Sequence, residues 1–336
     1  MNDSAAETTT SPVWQRMLAE AVRDPTALLD ALDLDRELLP AAQSAAQLFP
    51  LRVPWPYLNR MRRQDPHDPL LRQILPLGAE HHDAPGYEAD PVGDGDALQS
   101  GGVIHKYHGR ALLVATGACA INCRYCFRRH FPYTEVNAST GDWSQALAYL
   151  ANASSITEVI LSGGDPLALT DRRLAALAPA LARLSHLRRL RVHSRLPIVL
   201  PQRIDKALID WLTGTRLRPI MVVHANHPAE LDAAVAEAMA RLQRAGVVTL
   251  NQAVLLRGVN DDAATQAALN ERLFDIGVHP YYLHVLDPVR GASHFEVSSQ
   301  EAAAIQRGVS ATLPGYMVPR LVREVAGEPA KRWLHW

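Results

Sequence analysis

The sequence predicts an α/β fold in which short parallel strands alternate with helices. Three observations carry that prediction. Beyond Arg110, short apolar and β-branched runs recur, the composition of strands buried on both faces. Between them lie stretches of helical periodicity, several closed by a glycine, as at Gly214, Gly246 and Gly277. The runs follow one another at about 30 residues, the size of a βαβ unit. Six such units suit an open or partial barrel, since a full set of eight needs more chain. A doubly wound sheet is the alternative.

The first 100 residues read as helical and irregular. A helix is predicted over 13–22, and a second starts at Pro25, where proline suits an early helical position. Prolines punctuate 65–76, and 79–99 is a polar loop with Gly, Pro and Asp. The strand candidates are 111–115, 158–161, 190–193, 220–224, 247–254 and 281–285. Helices are predicted over 143–151, 172–184, 203–212, 229–245 and 263–276. The chain then divides into a helical extension (1–100), an α/β barrel (101–311) and a short C-terminal segment (312–336).

Composition narrows the class. An apolar fraction of 48% is that of a globular protein with a substantial core. A formal charge of −1 supplies no basic field to recruit nucleic acid. Residues 1–12 lack the basic and apolar regions of a signal peptide, and no apolar run is long enough to span a bilayer. Unpaired thiols point to the reducing cytoplasm. Of the 34 Lys and Arg residues, only Lys106, Lys206 and Lys331 are lysine. Most of that bias reads as codon usage, but it leaves three candidates for any Schiff base.

Cys119, Cys123 and Cys126 are the only cysteines, spaced C-x3-C-x2-C. An odd, tightly spaced trio pairs badly as disulfides. With His130 as fourth ligand it makes a tetrahedral zinc site. As ligands of a [4Fe–4S] cluster, three thiolates leave one iron open for chemistry.

Polar residues gather where α/β active sites form, at the C-terminal ends of strands. The cysteines follow the first strand, and Ser162, Gly163, Gly164 and Asp165 follow the second. His193, Ser194 and Arg195 end the third, and His224 ends the fourth. Gln252 lies late on the fifth, and Asp287 follows the sixth.

The cysteine trio after a first strand, with Tyr125 before its last member and Gly163-Gly164 at the second strand, resembles the radical S-adenosylmethionine (SAM) superfamily. The resemblance narrows through 105–110, 126–129, 161–165, 194–197, 199–203, 224–228, 251–260 and 280–282. In order along 65–331, these segments are similar to the lysine 2,3-aminomutase family. That resemblance implies a partial (β/α)6 radical SAM barrel holding a [4Fe–4S] cluster, SAM and pyridoxal phosphate, with L-lysine as substrate.

It implies site residues as well. Cys119, Cys123 and Cys126 ligate the cluster, and Tyr125, Ser162, Gly163, Gly164, Asp165, Ser194, His224 and Gln252 surround SAM. Lys331 holds pyridoxal phosphate as a Schiff base, with Lys106, Tyr107 and Arg110 about it. Arg128 takes the substrate carboxylate, while Asp287 and Glu324 take its ε-ammonium. At the Glu324 position the family carries Asp. The adenosyl radical removes a β-hydrogen, nitrogen moves from Cα to Cβ, and the hydrogen is returned.

Within the family, Gly327-Glu-Pro-Ala-Lys331 and the absence of cysteines after it resemble the short elongation factor P β-lysylation branch. That branch implies (R)-β-lysine as product, an external one-electron reductant and a separate β-lysyl ligase, with no nucleic acid or membrane partner. A free-standing aminomutase of β-lysine metabolism, a radical enzyme without pyridoxal phosphate and a zinc-stabilised binding module remain the alternatives.

Overall fold

The computed structural model describes residues 11–136 and 143–334. The N-terminal extension carries α1 (Val13–Ala19), α2 (Pro25–Leu32), α3 (Leu39–Leu48), α4 (Trp55–Leu58) and α5 (Pro69–Arg72). A ten-stranded sheet follows. It opens with β1 (Leu98–Gln99) and β2 (Val103–Tyr107), then β3 (Arg110–Thr116), α6 (Ser144–Asn152), β4 (Glu158–Gly163) and α7 (Asp171–Ala182). Next come β5 (Arg189–Ser194), α8 (Leu196–Val199), α9 (Lys206–Thr213), β6 (Arg218–Val223), α10 (Ala233–Arg244) and β7 (Val248–Val254). The chain ends through α11 (Ala263–Asp275), β8 (His279–His284), α12 (Ser299–Thr312), β9 (Arg320–Arg323) and β10 (Arg332–Trp333).

The strands lie in sequence order from β1 to β10, and β3 through β9 are parallel. A doubly wound sheet reverses its order at a switch point. This sheet never does, so it curls one way into the partial barrel. Six strand–helix units run from β3 to α12, and β9 adds a seventh parallel strand. Antiparallel β2 and β10 flank the parallel set.

Two predicted helices begin later than expected. The patterns over 203–212 and 229–245 become short turns, Pro201–Arg203 and Pro228–Glu230, followed by α9 and α10. The reason is local: the Asp205 and Asp232 side chains cap the helices by accepting from Leu208 and Val235 N–H groups. That frees Arg203 and Glu230 to turn into the interior, where both are fully buried. The helix expected over 13–22 stops at Ala19, because Val22 bridges to Val53. The reading also passed over β2, β9 and α12. The last starts on a capping box between Ser298 and Glu301.

One hydrophobic cluster joins the extension to the barrel, containing Trp14, Leu28 and Tyr57 along with Leu113, Leu190 and Val309. Along a strand, alternate side chains face the lumen. On β5 these are Arg189, Arg191 and His193, and on β4 Glu158, Ile160 and Ser162. Among the described residues, no helix is long and apolar enough to cross a membrane.

Candidate active site

β3 delivers the chain into the cysteine loop, and the extension clamps that loop. Arg52 donates to the Cys119 carbonyl at 2.7 Å, and the Asn122 N–H donates to the Arg52 carbonyl at 3.0 Å. Arg124, between Cys123 and Tyr125, is buried and donates twice to Glu80, at 2.8 and 2.6 Å. Arg129 adds a third bond to Glu80 at 2.7 Å. Glu80 lies in the segment read from sequence as a polar loop.

The two glycines at the end of β4, Gly163 and the following Gly164, hold the loop from the other side. Gly163 has φ +119°, and a Cβ there meets the Thr116 carbonyl oxygen at 2.6 Å. A Cβ on Gly164 meets the Ala118 oxygen at 2.5 Å and Gly117 backbone at 2.8 Å. The Gly164 N–H donates to Thr116 at 2.7 Å, and the Asp165 N–H to Ala118 at 2.8 Å. The Gly-Gly pair therefore lets two backbones touch. Gly164→Ala is expected to push the cysteine loop off β4, so that reconstituted protein carries well under half the parent's iron. Iron and sulfide analysis checks this.

All three thiols are half-buried and line one cavity of about 700 Å³. Burial pushes the Cys119 thiol well up and Cys126 up to about 11. Bound iron reverses that, because a coordinating thiol is deprotonated outright. Among the described residues, no three His, Cys, Asp or Glu side chains converge on a single metal ion. The three half-buried thiols line one cavity, and thiolate is the ligand type that a [4Fe–4S] cluster takes. His130 faces the Arg290 carbonyl at 3.2 Å and is not part of the cavity wall.

Above the loop lies a buried polar network. Tyr125 stacks on His224, with ring centroids 5.7 Å apart, and its hydroxyl meets His224 Nε2 at 3.0 Å. Arg195 donates to Gln73 at 2.6 Å, Glu230 at 3.0 Å and the Cys123 sulfur at 2.7 Å. Asp165 accepts from the Ser194 hydroxyl at 2.7 Å and from the Leu167, Arg195 and Leu196 N–H groups at 3.0, 2.9 and 3.1 Å. Asp165 and Ser194 thus tie β4 to β5. Gln73 and Glu230 escaped the sequence reading, because nothing local distinguishes a buried Gln or Glu from a solvated one.

Towards the C-terminal segment, opposite charges alternate. Arg128 donates to Asp94 at 2.6 Å and to the Ser162 hydroxyl at 3.1 Å. Asp94 also pairs with Lys106 at 2.6 Å, and Lys106 reaches Glu324 at 3.5 Å. Glu324 accepts from the Tyr107 hydroxyl at 2.7 Å and pairs with Lys331. The Arg110 guanidinium stacks on Tyr107 at 4.4 Å. Arg110 is the first residue of β3, at the opposite end of that strand from the cysteine loop and level with Glu158 and Arg189 in the strand register. Asp94 is an unforeseen member that neutralises both Lys106 and Arg128.

Several buried groups await a partner. Asp287 Oδ1 and His193 Nε2 have none among the described residues. Burial pushes the Asp287 carboxyl up to about 7, with Lys331 opposing and Glu324 adding to the rise. Burial holds the His193 and His284 rings neutral, reinforced by Arg191 beside His193 and Lys331 beside both. Gln252 completes the wall from β7.

A sulfur trio after the first strand of a one-way parallel barrel, facing a large polar cavity, defines a radical SAM enzyme. Residues 113–268 match the Radical SAM superfamily. Over 319 residues the chain is 50% identical to the L-lysine 2,3-aminomutase of Escherichia coli K12, covering 95% of this chain and 93% of that protein. The Haemophilus influenzae L-lysine 2,3-aminomutase is 46% identical over 95% of this chain and 94% of its own length. That of Acetoanaerobium sticklandii is 34% identical over 82% of this chain, which spans 66% of that protein. The chain belongs to the L-lysine 2,3-aminomutase family. It is an enzyme whose class uses a [4Fe–4S] cluster and SAM.

Proposed function

We propose that the protein converts L-α-lysine to (R)-β-lysine by 2,3-amino migration, with pyridoxal phosphate bound through Lys331. The observation that carries this reading is that one cavity holds both the three thiols and the charged groups an amino acid with two ammonium groups and a carboxylate needs: Arg128, whose guanidinium also meets Asp94 and Ser162, and the carboxylates Asp287 and Glu324 near Lys331.

Cys119, Cys123 and Cys126 hold the cluster. Tyr125, Ser162, Gly163, Gly164, Asp165, Ser194, His224 and Gln252 shape the SAM site. Pyridoxal phosphate, when bound, supplies an electron sink for the migrating nitrogen. The residues present fit it: a lysine amine on one wall, Lys106 and Tyr107 beside it, and Arg110 down the lumen as a cation for phosphate. Arg128, held edge-on by Asp94 and Ser162, orients the substrate carboxylate. Cofactor and substrate filling the cavity would displace water from the reacting carbons.

The pathway reading goes further: (R)-β-lysine is passed in the cytoplasm to a separate ligase that modifies elongation factor P. An external one-electron reductant feeds the cluster. The test is an anaerobic assay of reconstituted protein with L-lysine, SAM, pyridoxal phosphate and reductant, followed by chiral analysis. (R)-β-lysine supports the reading, and (S)-β-lysine favours free β-lysine metabolism. No β-lysine from brown, cofactor-loaded protein rejects the substrate.

A pH effect follows from Asp287. Only its ionised form pairs with an ammonium, and burial raises the carboxyl to about 7. The affinity for L-lysine relative to L-norleucine, which lacks the ammonium, is expected to fall as pH drops below 7, by up to about tenfold per unit. Asp287→Asn should flatten the ratio. In the ligand-free protein the folded state holds this proton more tightly than the unfolded chain does. The contribution of Asp287 to stability therefore falls as pH rises from the ordinary carboxyl range to about 7.

A further inference from the structure

We infer that Arg195 is a positioning residue for the redox step: its guanidinium, donating to the Cys123 sulfur, raises the reduction potential of the cluster, and the N-terminal extension sets that contact. The inference rests on the reading that Cys119, Cys123 and Cys126 hold the cluster. It gives the extension a part in the chemistry beyond packing.

The guanidinium is buried and fixed on every side. One arm, Nη1, donates to Cys123 Sγ at 2.7 Å. The other, Nη2, donates to Gln73 Oε1 at 2.6 Å, Glu230 Oε2 at 3.0 Å and the Tyr57 hydroxyl at 3.1 Å. The Tyr57 and Tyr125 rings lie 5.4 and 5.7 Å from it. Its backbone N–H donates to Asp165 at 2.9 Å, so the strand end is pinned too. Among the described residues, Cys123 is the one cysteine whose sulfur accepts from a side chain.

Tyr57 belongs to α4, and Gln73 follows α5. Gln73 holds both partners of the contact. Its side chain takes Arg195, and its carbonyl accepts from the N–H of Arg124, the residue after Cys123, at 2.9 Å. The extension therefore fixes the separation of guanidinium and sulfur.

The sign follows from charge. A cluster that takes an electron from the external reductant becomes more negative, and its sulfurs become better acceptors. An arginine is always protonated, and a charge-assisted bond in a dry site strengthens as the acceptor gains charge. Hydrogen bonds to the sulfurs are one of the terms that set such potentials. Arg195 thus favours the reduced state. Glu230, bonded to Arg195 and not to sulfur, partly cancels that charge.

The experiment is a potentiometric titration of cluster-loaded protein without SAM, read by the paramagnetic resonance of the reduced cluster. Arg195→Gln is expected to lower the reduced fraction at a fixed potential about tenfold, a midpoint shift of about 59 mV downwards for one electron. Glu230 keeps partners in that variant, accepting from the Asn226 and His227 N–H groups at 2.8 and 3.1 Å and from Gln73 at 3.2 Å. Arg195→Lys, which keeps the charge without the fork, should fall between parent and Arg195→Gln. Glu230→Gln should move the midpoint upwards by a smaller amount. Opposite signs are what a loss of packing does not produce. Iron and sulfide analysis shows that each variant is loaded, and if Arg195→Gln loads no cluster, the other two variants decide. A midpoint equal to the parent's in the loaded arginine variants, or a downward shift in Glu230→Gln, overturns the inference. An unchanged midpoint with weakened SAM binding overturns it also, and assigns Arg195 to SAM instead. A parent protein that holds no iron–sulfur cluster overturns the cluster reading itself.

Discussion

Replacing Cys123 by alanine is expected to abolish turnover while leaving the fold in place. In the site proposed above the cluster takes three protein ligands, so losing one removes a third of the thiolates that hold it. Reconstituted protein should be colourless and should not cleave SAM. Turnover should drop by more than about a thousandfold, as when one member of a group acting as a unit is removed. The fold survives because Cys123 is only half-buried and packs at the edge of the core, not inside it. Its polar neighbour Arg195 keeps Gln73 at 2.6 Å, Tyr57 at 3.1 Å and Glu230 at 3.0 Å. Iron analysis and a thermal melt of the metal-free protein separate the two effects. A brown, active Cys123→Ala variant would show that the trio is not the ligand set.

Replacing Glu80 by alanine should do the reverse, damaging the fold before the chemistry. Glu80 is fully buried and neutralises Arg124 and Arg129, which are 0% and 1% exposed. Deleting the carboxylate strands two guanidiniums in the interior, and breaking a buried pair costs about 3–5 kcal/mol. Denaturant unfolding of metal-free protein measures that loss. Because Arg124 lies between two cluster cysteines, iron loading should fall as well. Glu80→Gln keeps the shape without the charge and should lie between parent and alanine. An unchanged midpoint in Glu80→Ala would mean that water reaches the guanidiniums and that the clamp on the loop is weak.

These two substitutions mark how differently the site was legible. The cysteines announce themselves, because three rare residues within eight positions and none elsewhere form a pattern that composition alone does not produce. Gly163 and Gly164 were recognisable from their place after a strand. The physical need for them, a Cβ that would overlap the Thr116 and Ala118 oxygens, appears only when β3 and β4 are side by side. Glu80 gave no signal at all, since a glutamate in a polar loop is normally solvated.

The same division holds for the fold. Apolar runs recurring at the length of a βαβ unit establish parallel strands with helical crossovers, because both depend on local periodicity and turn residues. Lumen-facing Arg189, Arg191 and His193 stand at alternate positions of β5, a period of two visible in the sequence but read there only at its C-terminal end. The absence of any reversal in strand order decides between barrel and doubly wound sheet, and order is a relation among strands far apart in the chain.

The sequence by itself determined the βα repeat, the cysteine trio after its first strand and the presence of a lysine, Lys331, in the C-terminal segment. Tertiary structure alone decided which charges neutralise one another. Asp94 between Lys106 and Arg128, Glu80 between Arg124 and Arg129, and Glu324 opposite Lys331 are pairings across long loops or a hairpin register. Side-chain type and local spacing carry information about what a residue does alone. Charge neutralisation in a buried site depends on distance and desolvation, which exist only once the chain has folded.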